Sequence, residues 1–172
     1  MPPELHVDPA RLDFNRVLAG RAEIERVNPQ RYELEQLTAI VHVDTSQHLI
    51  AGYKDVTADE FWVRGHMPDY PLMPGVLMCE AAAQLCSYYI MTNGLMQGDF
   101  LGFGGLENVR FRGPVRPGDR LLLVGKGVKM HRRQTIFNVQ GFVGSTMVFR
   151  ADIIGVPLVR STEAETAASG EA

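Results

Sequence analysis

GHMPDYPLMPGVLMCEAAAQ, running from Gly65 to Gln84, is the stretch whose reading decides the fold. Pro68, Pro71 and Pro74 each lock φ and lack an N–H, so the segment that holds them is neither helix nor central strand. Gly75 then permits a tight turn into a helix whose first N–H groups have no intrahelical acceptor. Val76, Leu77, Met78, Ala81, Ala82, Ala83, Leu85 and Ile90 cover most of that helix's circumference, which predicts a buried helix from Gly75 to about Met91. The Ala81-Ala82-Ala83 run predicts close approach by another backbone, such as an enclosing sheet. His66 precedes the loop and Glu80 sits about a turn and a half into the helix. An imidazole, a carboxyl and a positive helix end together equip a site for proton chemistry beside a carbonyl.

Outward from the helix the pattern changes period. Leu37–Val43 and His48–Val56 read as strands joined by Asp44-Thr45-Ser46-Gln47, and Thr57–Trp62 reads as a polar loop or short helical turn. Beyond Asn93-Gly94, strands are predicted at Phe100–Arg112, Asp119–Met130, Gln134–Val143 and Thr146–Val156. Asp13 to about Glu25 is read as a short helix capped by Asn15 or Asp13, and Asn28-Pro29-Gln30-Arg31 as an irregular entry. The tail from Ser161 is small, acidic and without aromatic residues, and is expected to be disordered. One buried helix among antiparallel strands gives an α+β class, a curved sheet wrapped around a helix. An open sheet edge and a partly uncovered helix favour pairing of two copies.

The chain has 172 residues, enough for one domain with a substantial core. No apolar N-terminal leader is evident, and the most apolar region, Leu72–Met96, is interrupted by Pro74, Glu80, Gln84 and Ser87, which argues against a membrane span. A cytoplasmic location is the expectation. Cys79 and Cys86 would lie about 10.5 Å apart along one helix, too far for a disulfide, and lack the partners of a zinc site. The formal net charge is −3, yet eight basic residues against one acid fall between Arg110 and Arg133. That run reads either as solvated strand faces or as a docking surface for an anionic partner. An acidic chain without a binding motif argues against nucleic acid.

His66-Met-Pro, Pro71-Leu-Met-Pro-Gly-Val-Leu77, Glu80-Ala-Ala-Ala-Gln84 and Phe111-Arg-Gly-Pro-Val-Arg-Pro-Gly-Asp119 resemble, in order, the FabZ-type (3R)-hydroxyacyl-acyl-carrier-protein dehydratases. The resemblance extends from about Pro29 to about Val156. It implies a hotdog fold over residues 29–160, with residues 1–28 as an N-terminal extension and 161–172 as a tail. It also implies His66 and Glu80 as the catalytic pair, drawn from opposite protomers of a dimer, and often a trimer of dimers. The N–H groups of Gly75 and Val76 are the candidates to stabilise a thioester oxygen. Gln84, one turn beyond Glu80, is either an orienting group for Glu80 or a water, or an ordinary buried amide with backbone partners. The implied partner is acyl carrier protein, with Arg110, Arg112, Arg116, Lys126, Lys129, Arg132 and Arg133 as docking candidates. No metal or organic cofactor is needed for the elimination of water, and the acyl chain is expected in an apolar tunnel beside the helix.

Three departures from the family pattern stand out. Met67 replaces the aromatic residue that usually follows the histidine, Asp69-Tyr70 replaces Gly-Arg, and Pro29-Gln-Arg-Tyr-Glu-Leu-Glu35 places two charges where a packed strand entry is expected. Two other readings compete with dehydration. One is a hotdog acyl thioesterase in which Glu80 activates water. The other is a non-catalytic acyl-thioester-binding relative. By residue type alone, His66 is more often a structural loop histidine and Glu80 merely a polar break in a buried helix.

Overall fold

The computed structural model describes residues 4–160. The expected disordered tail therefore lies outside the described residues. The elements are β1 (Ala19–Gly20), α1 (Arg21–Glu25), β2 (Ala39–Asp44), β3 (Leu49–Asp55), α2 (Gly75–Thr92), β4 (Phe100–Phe111), β5 (Arg120–His131), β6 (Gln134–Val143) and β7 (Thr146–Leu158). All seven strands form one antiparallel sheet in the order β1-β2-β3-β5-β6-β7-β4. It wraps α2, giving the curved-sheet-and-helix hotdog architecture that the sequence implies.

Alternation along the strands explains why the helix is enclosed. Leu121 and Leu123 of β5, with Ile50, Phe137, Phe149 and Ile153, face α2 in the main core, while Leu122 and Val124 point the other way. Side-chain period two produces this division, and the apolar inner face buries α2. Leu85 of α2, fully buried, reaches the sheet where it carries no side chain. A Cβ on Gly52 would meet Leu85 at 3.0 Å and one on Gly125 would meet it at 3.6 Å. Ala81 and Ala82 are wholly buried too, as close helix–sheet approach requires. Both thiols are free and buried, and burial pushes each of them up in pKa.

The N-terminal segment departs from expectation. Residues 13–25 do not form one helix; a turn at 14–15, β1 and the five-residue α1 occupy them, after a 3₁₀ turn at Pro9–Arg11. Asp13 caps no helix, and its carboxylate accepts instead from the N–H of Asn15 at 2.9 Å. The physical reason is tertiary. Leu12, with Val7 and Phe14 packed beside it, covers Val41, Tyr53, Leu122, Val124 and Phe142 on the outer sheet face. An extended segment spans that face where a compact helix cannot. Central strands β3 and β5 are consequently buried on both sides over much of their length.

β4 is an edge strand twelve residues long, bearing exposed Phe103, Leu106 and Phe111. A long edge with unpaired backbone groups and exposed apolar side chains invites further pairing.

Candidate active site

The His66 loop is anchored from behind. Trp62 is buried and its carbonyl accepts the N–H of His66 at 2.8 Å and of Gly65 at 3.1 Å. On the same loop Glu60 pairs with Lys54 of β3 at 2.8 Å, with side-chain exposures of 12% and 5%. In front of His66 the chain returns on itself: the N–H of Leu72 donates to the His66 carbonyl, and Met73 donates to the carbonyl of Val115, each at 2.8 Å. The prolines keep this stretch out of regular structure, so its polar backbone is satisfied by these cross-links.

The imidazole is thereby oriented. Its Nδ1 lies 2.8 Å from the carbonyl oxygen of Leu72, which accepts only, so Nδ1 carries the proton and Nε2 of the neutral ring holds the lone pair. His66 lines a cavity of about 390 Å³ with Gly75, Val76, Met78 and Phe111. Gly75 is required here by close approach, since a Cβ would sit 2.9 Å from the Phe111 ring. Pro74 at the N-cap supplies no side-chain acceptor. Gly75 and Val76, at the uncapped and electropositive start of α2, thus line the same cavity as the imidazole.

Glu80 is not in that cavity. It lines a second one, of about 280 Å³, between α2 and strands β4 and β7, whose walls include Ala83, Phe100, Leu101, Phe103 and Ile154. This largely apolar channel runs beside the helix. Within one chain the imidazole and the carboxylate thus open into different spaces. Both carboxylate bonds go to one oxygen: Oε1 accepts from Gln84 Nε2 at 2.8 Å and from Gln30 Nε2 at 3.3 Å. Oε2 takes no hydrogen bond from the described residues.

Gln84 bonds both to Glu80 and to backbone groups. Beyond Glu80, its Nε2 donates to the Leu34 carbonyl at 2.6 Å and its Oε1 accepts from the Gln36 N–H at 2.9 Å. Its own carbonyl accepts from Asn28 Nδ2 at 2.9 Å. Residues 28–36 form a strap across the helix, closed by Arg31, whose guanidinium donates to the carbonyls of Glu25, Asn28 and Gln30. Here the altered segment departs from the expected strand entry. Tyr32–Leu34 is a 3₁₀ turn entered by Tyr32 at φ 58°, Glu33 is exposed, and Glu35 pairs with Arg21 at 3.6 Å. Glu33 faces solvent, and Glu35, 16% exposed, has its charge paired with Arg21, while Asn28, Gln36 and Leu37 are buried. Gln30 went unread in the sequence because a lone amide in an irregular stretch carries no periodic signal.

The remaining departures cluster at the loop. Met67 is half-exposed. Tyr70 hydrogen-bonds to Arg116, whose guanidinium carbon lies 4.9 Å from the Tyr70 ring centroid. That clasp ties the loop to the turn after β4. The basic run is contiguous in sequence only. Arg110, Arg112 and Arg116 lie at the end of the sheet that carries the His66 loop, where Phe111 pairs with Phe149 and the Arg112 N–H donates to Val148. Lys129, Arg132 and Arg133 lie at the opposite end, around the β5–β6 hairpin, with Lys126 between. Twelve residues of β5 separate the ends by roughly 36 Å. The seven residues are therefore spread over both ends of the sheet.

Among the described residues no cluster of three or more His, Cys, Asp or Glu side chains has the arrangement of a metal site. None of their helices is long and apolar enough to cross a membrane.

Known proteins with these features are similar over most of the chain. The FabA-like domain family matches residues 28–152. A 3-hydroxyacyl-[acyl-carrier-protein] dehydratase FabZ from Clostridioides difficile is 32% identical over 132 residues, covering 77% of this chain and 92% of that protein. The FabZ of Bacillus velezensis is 40% identical over 101 residues, covering 59% of this chain and 71% of that protein. Among solved structures, the dehydratase heterocomplex ApeI:P from Xenorhabdus doucetiae superimposes with a TM-score of 0.64 at 12% identity, over 84% of this chain and 95% of that one. At that identity the likeness speaks to the fold.

Proposed function

The chain belongs to the FabA-like family of hotdog-fold dehydratases, and on that premise we propose that it is a (3R)-hydroxyacyl-acyl-carrier-protein dehydratase. It would remove water from 3-hydroxyacyl thioesters to give trans-2-enoyl thioesters in fatty-acid synthesis, in the cytoplasm. The single observation that carries this reading is the His66 imidazole, its Nδ1 held by Leu72, sharing a cavity with an uncapped helix start.

In the proposed mechanism His66 Nε2 takes the proton from C2. Negative charge then develops on the thioester oxygen, where the N–H groups of Gly75 and Val76 stabilise it. The Glu80 carboxyl gives its proton to the departing C3 hydroxyl, which leaves as water. The electron pair of the broken C2–H bond becomes the double bond. Each proton transfer contributes about 10²–10⁴-fold. Gln84 and Gln30 hold one oxygen of Glu80 and leave the other toward the substrate.

The two cavities of one chain call for a second copy. We assign the partner to the β4 edge, where Phe103 and Leu106 are exposed beside the Glu80 channel. Val76, 72% exposed at the helix start, supports a covering partner on the His66 side. In such a dimer the His66 of one copy faces the Glu80 of the other. Residues 29–160 would be the hotdog unit and 1–28 an N-terminal extension, of which Val7, Leu12 and Phe14 cover the outer sheet face. An acidic acyl carrier protein would dock at the His66 end through Arg110, Arg112 and Arg116, the basic candidates that lie there.

The test is an assay that follows enoyl absorbance and free thiol together. Interconversion of 3-hydroxyacyl and 2-enoyl thioesters without thiol release supports the proposal. Thiol release instead identifies a thioesterase, and acyl binding without turnover a non-catalytic relative.

A further inference from the structure

Ser87 is the polar residue of the channel wall that stands apart from Glu80 and Gln30, which meet at 3.3 Å two turns earlier along α2. It lies seven residues beyond Glu80 on the same face of α2, and it lines the same channel with Phe100, Leu101 and Ile153. Its exposure is 3%, and its buried hydroxyl has no hydrogen-bond partner. A serine in a helix ordinarily turns its hydroxyl back to the carbonyl four residues earlier. Thr92 does so in this very helix, donating to the Tyr88 carbonyl at 2.6 Å. Ser87 makes no such bond. A buried hydroxyl without a partner costs about 1–3 kcal/mol, so an occupant of the channel that bonds to it recovers that cost.

We propose that Ser87 is a polar subsite within the acyl channel, recognising an oxygen substituent, hydroxyl or ketone, on the acyl chain. This deepens the dehydratase reading and rests on it for the direction of the chain. Seven helical residues rise about 10.5 Å. An extended chain advances about 1.2 Å per bond, so the substituent lies roughly eight to nine bonds beyond the C3 carbon at Glu80, near C11 or C12 of the acyl group. A serine hydroxyl both donates and accepts, so it serves either oxygen. Apart from Glu80 and Gln30, which sit together at the reacting end, the lining side chains offer only hydrocarbon, so an oxygen placed between that end and Ser87 pays its desolvation without return. The substrate class is therefore a 3-hydroxyacyl thioester with a second, distal oxygen.

The experiment measures binding of unreactive dodecanoyl-pantetheine amides to the intact protein and to Ser87→Ala. The probes are unsubstituted, hydroxylated near C11, or hydroxylated near C6. The native protein is expected to bind the C11-hydroxy probe at least as tightly as the plain one. Ser87→Ala should keep the plain probe within about twofold and lose about tenfold on the C11-hydroxy probe, while the C6-hydroxy probe is penalised equally in both proteins. An unchanged C11 ratio in Ser87→Ala, or a native protein that penalises C11 as heavily as C6, overturns the subsite. Turnover is followed on the same proteins. Dehydration with a flat binding ratio removes the subsite alone, whereas the ratio without dehydration removes the dehydratase reading and keeps the subsite.

Discussion

Gln84 Nε2 lies 2.8 Å from Glu80 Oε1, and the same side chain holds the backbone of Leu34 and Gln36. One amide therefore links the carboxylate to the strap that closes over it. Gln84→Leu should leave the Leu34 carbonyl and the Gln36 N–H without partners and free Glu80 to rotate. A loss of about 1–3 kcal/mol per orphaned group is expected in urea unfolding, with kcat falling by more than KM rises.

His66→Ala and Glu80→Gln should each lower kcat by about 10²–10⁴-fold with the circular dichroism spectrum unchanged. Because a shared site needs one group from each copy, mixing the two inactive variants should restore activity. Random exchange yields half mixed dimers with one intact site of two, so about a quarter of native activity returns. No recovery on mixing would place both groups in one chain's site and remove the two-copy arrangement.

Gly75→Ala should act through packing. The added methyl meets the Phe111 ring at 2.9 Å, and that ring is stacked on Phe149 with centroids 5.8 Å apart. Overpacking of this kind costs about 1–3 kcal/mol. It should shift the helix start and with it the free N–H groups. Adding Phe111→Leu should recover stability, read as a denaturation midpoint at unchanged m-value.

Lys54 and Glu60 pair at 2.8 Å with little exposure, behind the loop that carries His66. Lys54→Met strands a carboxylate and should destabilise by about 3–5 kcal/mol. The double variant Lys54→Met/Glu60→Leu should regain most of it. If the single and double variants unfold at the same midpoint, the pair is not the anchor of this loop.

Burial of His6 against the outer sheet face lowers its pKa, the bond from Nε2 to Asn138 Oδ1 opposing this and Lys126 and Arg150 adding to it. A depressed histidine is neutral in the fold when the unfolded chain already binds a proton. The stability it contributes is complete above 6.5, its ordinary value, and is lost as pH falls through the lower folded value. Midpoints in urea should therefore decline below pH 6.5 more steeply for the native chain than for His6→Asn. Parallel profiles would exclude His6 as the source.

Much of this was legible in the sequence because it depends on neighbours along the chain. The spacing of Gly75, Glu80 and Gln84 predicts one helix with both polar side chains on a common face, and the helix and its contact are present. Period-two alternation likewise locates the four C-terminal strands to within about two residues. The N-terminal helix failed because Phe14 packs on the outer sheet face and Ala19 and Gly20 pair with Ile40 and Ala39 of β2, tertiary contacts that local propensity does not contain.

Residue order determined the central helix, the strands and the candidate pair His66 and Glu80, since backbone preference and side-chain period act over a few residues. Only the tertiary structure decided that those two open into different cavities, that residues 28–36 strap over Gln84, and that the basic run divides between two ends of β5. Those outcomes depend on which distant groups satisfy a buried amide and on how far a strand carries its ends apart, and both are set when the sheet closes around the helix.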